Sequence, residues 1–189
     1  MSTPIDGLVA GFQQLVAQVP ELVQPLIVAL AGTVPFIEGE GSAAIGVIGG
    51  VHPVVAGIAG AAGNMLAVTI VVLLGARIRE AAVARRRRAA AVRERELVGA
   101  GGGEGGVEPE PAKPESKGRR RVRQWLTRFG VPGASLLAPL ALPTHFTAAT
   151  LVASGVPKGW VLLWQAIAIV VWTTLLVVLA SGLLAVATG

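Results

Sequence analysis

Apolar residues fill this chain in long runs, and the polar positions that interrupt them fall at matching places in two halves. Ile5, Leu8, Val9, Phe12, Val16 and Val19 recur at helical spacing, with Gln13, Gln14 and Gln18 opposite, so residues 4–19 predict an amphipathic helix. Thr3, Pro4 and Asp6 suit its first turn. Such a helix can lie in a membrane interface or pack on its own bundle. Residues 22–51 are apolar but interrupted by Pro25, Pro35 and the run Glu38-Gly39-Glu40-Gly41-Ser42. Neither piece reaches the roughly 20 residues that a bilayer crossing needs. A re-entrant helical hairpin is therefore expected over 22–51, broken at Pro35, Gly39 and Gly41. Residues 54–76 carry no charge and predict a transmembrane helix. Gly57, Gly60 and Ala61 would let another helix approach it closely. Asn64 is its strongly polar side chain and needs a partner.

Arg77 to Glu96 is rich in Ala, Arg and Glu, which predicts a helical continuation of that span. Val98 to Lys117 is Gly, Glu, Pro and Lys with almost nothing to bury, the composition of a disordered linker. Gly101, Gly103 and Gly106 match a nucleotide-binding glycine pattern. No strand precedes them and no helix follows, so the match reads as a low-complexity accident. Arg119 to Phe129 predicts a second amphipathic helix, with Val122, Trp125, Leu126 and Phe129 on one face and arginines on the rest. A second hairpin is expected over 129–157, broken at Pro139 and Pro143 around Thr144-His145-Phe146-Thr147. The last transmembrane helix is expected over 161–180 or longer, with Lys158, Trp160 and Trp164 at its interface.

The halves align at an offset of 105 residues: Ser42-Ala43-Ala44 falls on Thr147-Ala148-Ala149, and Gly50-Val51 on Gly155-Val156. The expected fold is an all-α integral membrane protein, an inverted repeat of two halves. Each half holds an amphipathic helix, a proline-broken re-entrant helical hairpin and a transmembrane helix. Residues 1–76 form the first half, 77–118 the linker and 119–189 the second half. The competing arrangement is four ordinary spans with kinks.

Composition removes the soluble classes. Hydrophobic residues make up 53% and charged residues 14%, with a mean hydropathy of +0.68, whereas soluble domains carry about 25% charged residues. The net charge of +5 is one-sided: fifteen of the sixteen Lys and Arg residues lie between Arg77 and Arg128, the other being Lys158. By the positive-inside rule this places 77–128 in the cytoplasm and both termini outside. It favours topology over nucleic-acid binding, so no nucleic acid is expected as a partner. The expected location is a plasma membrane, that of a bacterium. No Lys or Arg precedes an apolar core at the N-terminus, so a cleavable signal peptide is not expected. The absence of cysteine excludes disulfides and thiolate chemistry. The chain contains no HExxH, Walker or nucleophile-elbow motif. No metal, cofactor or enzymatic activity is therefore expected.

Pro35-Phe36-Ile37-Glu38, a following small-residue run and Gly63-Asn64 resemble the first half of the small multidrug export protein family. Phe129-Gly130-Val131-Pro132-Gly133, Leu142-Pro143-Thr144 and Ala148-Ala149 resemble its second half. Where that family carries Glu-x-Arg, this chain has Glu38-Gly39-Glu40. The architecture is also similar to the DedA-type membrane proteins, whose paired re-entrant hairpins are associated with lipid-carrier transport. The resemblance implies efflux of small molecules or drugs and puts Glu38 ahead of Glu40 as the acidic residue that matters.

Ionisable residues at membrane depth are costly and tend to mark ion or substrate paths. The candidate pathway is therefore Glu38 and Glu40 at the first tip, Thr144 and His145 at the second, and Asn64. If both tips reach the midplane, two carboxylates in a low dielectric cannot both stay ionised cheaply, so one is expected to carry a proton. The plainer readings are a polar loop outside the membrane for the carboxylates and a packing role for His145. The expected function is a proton-linked secondary transporter. The alternatives are a lipid-carrier transporter or flippase, and a scaffold whose basic segment binds a partner or anionic lipids. The expected partners are membrane lipids, anionic ones at the basic segment, and a small-molecule or lipid substrate. A homo-oligomer stays open.

Overall fold

A computed structural model of the chain describes residues 18–99 and 130–188, together with Gly7, Gly11 and Gln14. Most of the expected helix over 4–19, the linker from residue 100 and the whole amphipathic helix over 119–129 lie outside the described residues. All regular structure among the described residues is helical. In chain order there are α1 (Gln24–Gly32), α2 (Glu38–Ile48), α3 (Pro53–Gly99), α4 (described over 130–137), a 3-10 turn (Ala138–Leu140), α5 (Thr144–Ala153) and α6 (Lys158–Thr188).

The long helices are set by composition. The stretches Pro53–Arg93 and Lys158–Val186 are long and apolar enough to cross a membrane, with mean hydropathies of 2.0 and 2.5 in their most apolar windows. Only 28% and 22% of those windows is buried. Ile58, Leu66, Ile70, Leu74, Val170, Val178 and Leu183 are instead exposed. A soluble protein does not present such a continuous apolar surface to water, and the pattern suits helices that face lipid. The Ala-, Arg- and Glu-rich stretch continues α3 without a break, giving a 47-residue helix. At about 1.5 Å per residue it is some 70 Å long, more than twice a hydrocarbon core. Its far half carries Arg77, Arg79 and Arg85 to Arg88, all exposed.

Helices α3 and α6 run antiparallel. Pro53 and Val54 share a groove with Val177 and Val178, and Ala61 shares it with Val170. The α1–α2 pair packs at one end of this couple, where Val28, Val47 and Val51 meet Ala56 and Ala180. Helix α5 packs at the other end, where Leu151 and Val152 join Val72, Ala76 and Val161. The close approach depends on glycine in α3. A Cβ on Gly63 would overlap the Ala29 carbonyl oxygen, and one on Gly60 would stand 2.6 Å from the Gly39 oxygen. Gly60 and its neighbours were expected to admit a close helix, and α1 and α2 are the helices admitted.

The two halves share their turn chemistry at the 105-residue offset. After α2, Gly50 N–H donates to the Val47 carbonyl at 3.1 Å and Val51 N–H to the Gly46 carbonyl at 2.9 Å. After α5, Gly155 N–H donates to Val152 at 3.0 Å and Val156 N–H to Leu151 at 3.1 Å. Both are Schellman caps, which need a left-handed residue. Gly50 and Gly155 supply it at φ 91° and 95°. The next helix begins three residues later in each half, at Pro53 and Lys158.

One local expectation is corrected. Gly39 and Gly41 do not break the first hairpin; both lie in the first turn of α2. The break is 33–37, where Pro35 stops α1 from continuing and Phe36 turns the chain at φ 73°. Gly39 stays helical because its bare backbone packs against α3 and α6: an added Cβ would lie 2.7 Å from Thr173 Oγ1. In the second half, Pro139 lies in the 3-10 turn and Pro143 is the N-cap residue of α5, so both sit at the expected break.

Candidate functional site

Helix α5 begins without a cap of its own. Pro143 has no side-chain oxygen to receive the free N–H groups of the first turn, and no side-chain cap bond forms. The missing acceptor comes from the other half of the chain. Glu38 Oε1 accepts the Thr144 backbone N–H at 2.6 Å and the Thr144 hydroxyl at 2.8 Å. His145 Nδ1 lies 3.1 Å from the same oxygen. A carboxylate at a helix N-terminus also meets the positive end of the helix dipole. Glu38, Thr144 and His145 are all buried.

Glu38 reaches this position through an unusual backbone. Its φ is 54°, in the left-handed region that non-glycine residues seldom adopt. Such conformations cost about 1–3 kcal/mol and persist where surrounding contacts hold them. Here those contacts are the hydrogen bonds to α5 and the contact of Phe36 with Phe146, whose ring centroids are 6.5 Å apart. The two tips therefore touch through an apolar pair as well as a polar cluster.

Asn64 extends the cluster into α3. Its Oδ1 is 3.2 Å from Thr144 Oγ1, and its Nδ2 has no partner. The Thr144 hydroxyl has a single proton and cannot donate to both Glu38 and Asn64. With the amide turned so that Nδ2 faces Thr144, a chain of donors runs from Asn64 to Thr144 to Glu38.

Of the residues expected to form a pathway, the fold thus brings together Glu38, Thr144, His145 and Asn64. Glu40 lies in the first turn of α2, half-buried, with Oε2 buried and without a hydrogen-bond partner. The repeat offset set His145 opposite Glu40, but the residue it meets is Glu38. Pro35 holds the first turn and Pro143 the second. Gly39 packs against α3 and α6 rather than bending the chain, and Gly41 lies within α2. Among the described residues, no group of His, Cys, Asp or Glu is arranged to hold a metal ion.

Several buried polar groups were not singled out in the sequence. Gln165 is fully buried on α6, and neither amide atom has a partner. Thr173, two turns along the same face, has an unpartnered hydroxyl, as does Ser135 on α4. His145 Nε2 is also buried and unpartnered. Native interiors leave few such atoms, and here eight occur among the described residues. The signal for Gln165 was available: it is the lone amide side chain in the apolar stretch 161–180. Ser42 and Thr147, 105 residues apart, are both fully buried, and their hydroxyls donate to the Gly39 and Pro143 carbonyls. Comparisons of the chain with known protein families, curated proteins and solved structures each return no match.

Proposed function

We propose that this chain is a small proton-linked secondary transporter of a plasma membrane, built as an inverted repeat whose two hairpin tips meet near the bilayer midplane. The observation that carries this reading is the Glu38 carboxylate of one half, held by Thr144 and His145 at the tip of the other. The shared caps at Gly50 and Gly155, and the packing of the hairpins at opposite ends of α3 and α6, support the repeat. Inverted repeats with broken helices are a common transporter plan. The resemblance to the small multidrug export family points to efflux of small molecules.

The chemistry follows from what protonation does to the clasp. As a carboxylate, Glu38 accepts charge-assisted hydrogen bonds, which are roughly twice as strong as neutral ones. A proton on Glu38 removes that charge from the start of α5 and loosens one tip from the other. Tip separation then opens the interior toward one side of the membrane, and release of the proton closes it. A gradient acting on this one carboxylate can bias the cycle.

The test is reconstitution of the full chain into liposomes with a panel of cationic drugs and lipid-linked substrates, with and without a pH gradient. Gradient-dependent movement of at least one substrate is expected. Activity that tracks instead with the arginines of 77–95, and no movement of any substrate, would favour a scaffold.

A further inference from the structure

The turns after α2 and α5 each border a cavity, and the two cavities are built from the same positions. One, of about 280 Å³, lies between residues 152–158 and residues 76–80 of α3. The other, of about 350 Å³, lies between residues 47–53 and residues 181–185 of α6. Each of the eight residues lining one is the 105-offset equivalent of a residue lining the other. They sit at opposite ends of the α3–α6 couple, because α5 packs at one end and the α1–α2 pair at the other. The backbone plan makes the cavity in both halves, and the side chains make the difference.

That difference is charge. Where one cavity has Pro53, Leu184 and Ala185, the other has Lys158, Arg79 and Glu80. His52 is the one titratable residue of the first of these. The Arg79 guanidinium lies over Gly155, with a nitrogen 2.7 Å from where a Cβ would stand, whereas nothing comes within 4 Å of a Cβ at Gly50. Among the described residues, neither Arg79 nor Lys158 forms an ion pair, with Glu80 or with any other residue. Two cations and one carboxylate leave the charged cavity with one net positive charge, the complement of a phosphodiester. Its inner wall, Ala76 and Val152, is apolar and buried.

Depth in the membrane selects the source of that phosphate. The uncharged run of α3 ends at Ala76, and Arg77 opens the basic stretch. Trp160, exposed and edge-on to Trp164, follows Lys158 by two residues. Tryptophans and the first basic residues mark the headgroup level of a bilayer. Scattered surface arginines attract anionic lipid without ordering it, whereas a basic pocket between helices can hold a headgroup.

We propose that this cavity seats the phosphate of an anionic phospholipid, with the Arg79 guanidinium and the Lys158 ammonium donating to its oxygens. A lipid held there ties α3 of one half to the start of α6 in the other. The inference rests on the membrane placement of α3 and α6, and transport does not enter it.

The test is photolabelling of the full chain in phosphatidylcholine nanodiscs that hold a trace of phosphatidylglycerol with a diazirine on its headgroup. Both faces of the disc carry the probe, so the uncharged cavity is a control within the same molecule. Adducts are expected within 76–80 and 152–158 and not within 47–53 or 181–185. Unlabelled phosphatidylglycerol should compete, and inorganic phosphate should not. Arg79→Gln and Lys158→Gln should each cut labelling about tenfold, the worth of one charge-assisted hydrogen bond. Both side chains are exposed, so neither variant disturbs the core. Arg86→Gln, exposed on α3 beyond the cavity, should leave labelling unchanged, and Glu80→Gln should not lower it. Equal labelling of the two cavities, a loss with Arg86→Gln as large as with Arg79→Gln, or the same enrichment with a phosphatidylcholine probe would each overturn the proposal. Competition by inorganic phosphate would overturn it in favour of a free anion. Neither substrate nor gradient is present, so an unlabelled cavity overturns only the lipid site, and failed transport overturns only the transport reading.

Discussion

Glu38 caps a helix that begins 106 residues further along the chain: its Oε1 accepts the Thr144 backbone N–H at 2.6 Å. A carboxylate so placed stabilises two things, the first turn of α5 and the contact between the halves. Removing it leaves a buried N–H without an acceptor, which costs about 1–3 kcal/mol. Glu38→Ala should therefore lower the melting temperature of the purified protein, and Glu38→Gln, which keeps an acceptor, should lower it less. Equal melting of Glu38→Ala and wild type would mean that the clasp contributes nothing to the fold.

Close helix approach at Gly63 gives a second prediction. Gly63→Ala sets a methyl group against the Ala29 carbonyl, a backbone atom that cannot swing away. Overpacking of this kind costs about 1–3 kcal/mol. Gly57→Ala meets only Val177 at 3.4 Å, an ordinary contact, and should be tolerated. Thermal unfolding of the two variants side by side checks the difference, and equal melting would contradict the packing of α1 on α3.

The matched caps make a third. Nothing stands within 4 Å of a Cβ at Gly50, so any cost of Gly50→Ala comes from its φ of 91° alone. That cost is about 1–2 kcal/mol. Gly155→Ala bears the same conformational cost and also displaces the Arg79 guanidinium, a flexible side-chain end, from 2.7 Å. Both variants should unfold at lower temperature than wild type. A neutral Gly50→Ala would show that the Schellman cap is not needed there.

Topology can be read directly because the chain has no cysteine. The one-sided arginines predict that Ser116→Cys is shielded from an impermeant thiol reagent in intact cells, while Ser2→Cys and Thr188→Cys are labelled. The reverse pattern would invert the whole arrangement.

Much of this arrangement was legible in the sequence, for identifiable reasons. Glu38, Thr144, His145 and Asn64 stood out as polar interruptions of apolar runs, and burial gathered them because each needed a partner the others could supply. Gly50 and Gly155 stood out as a match between the halves, and the structure gives the reason for glycine at both, a left-handed cap. The exact break of the first hairpin was hidden. Gly39 and Gly41 read as breakers by their helix propensity, but at Gly39 tight packing against Gly60 and Thr173 rewards a missing side chain more than propensity penalises it. The turn passes instead through Phe36 and Glu38, whose left-handed backbones have no signature in their residue types. Gln165 carried a signal as the lone amide of 161–180, but a single amide in a long helix resembles a packing residue until its two atoms prove unpartnered.

The central claim is that a proton on Glu38 couples substrate movement to the gradient. The most direct measurement compares two assays on the Glu38→Gln variant in liposomes: substrate exchange at equal pH, and accumulation driven by a pH gradient. The account predicts that the variant inserts and exchanges substrate as wild type does but loses gradient-driven accumulation, because the neutral side chain can no longer take up or release the coupling proton. Accumulation by Glu38→Gln at the wild-type level would contradict it.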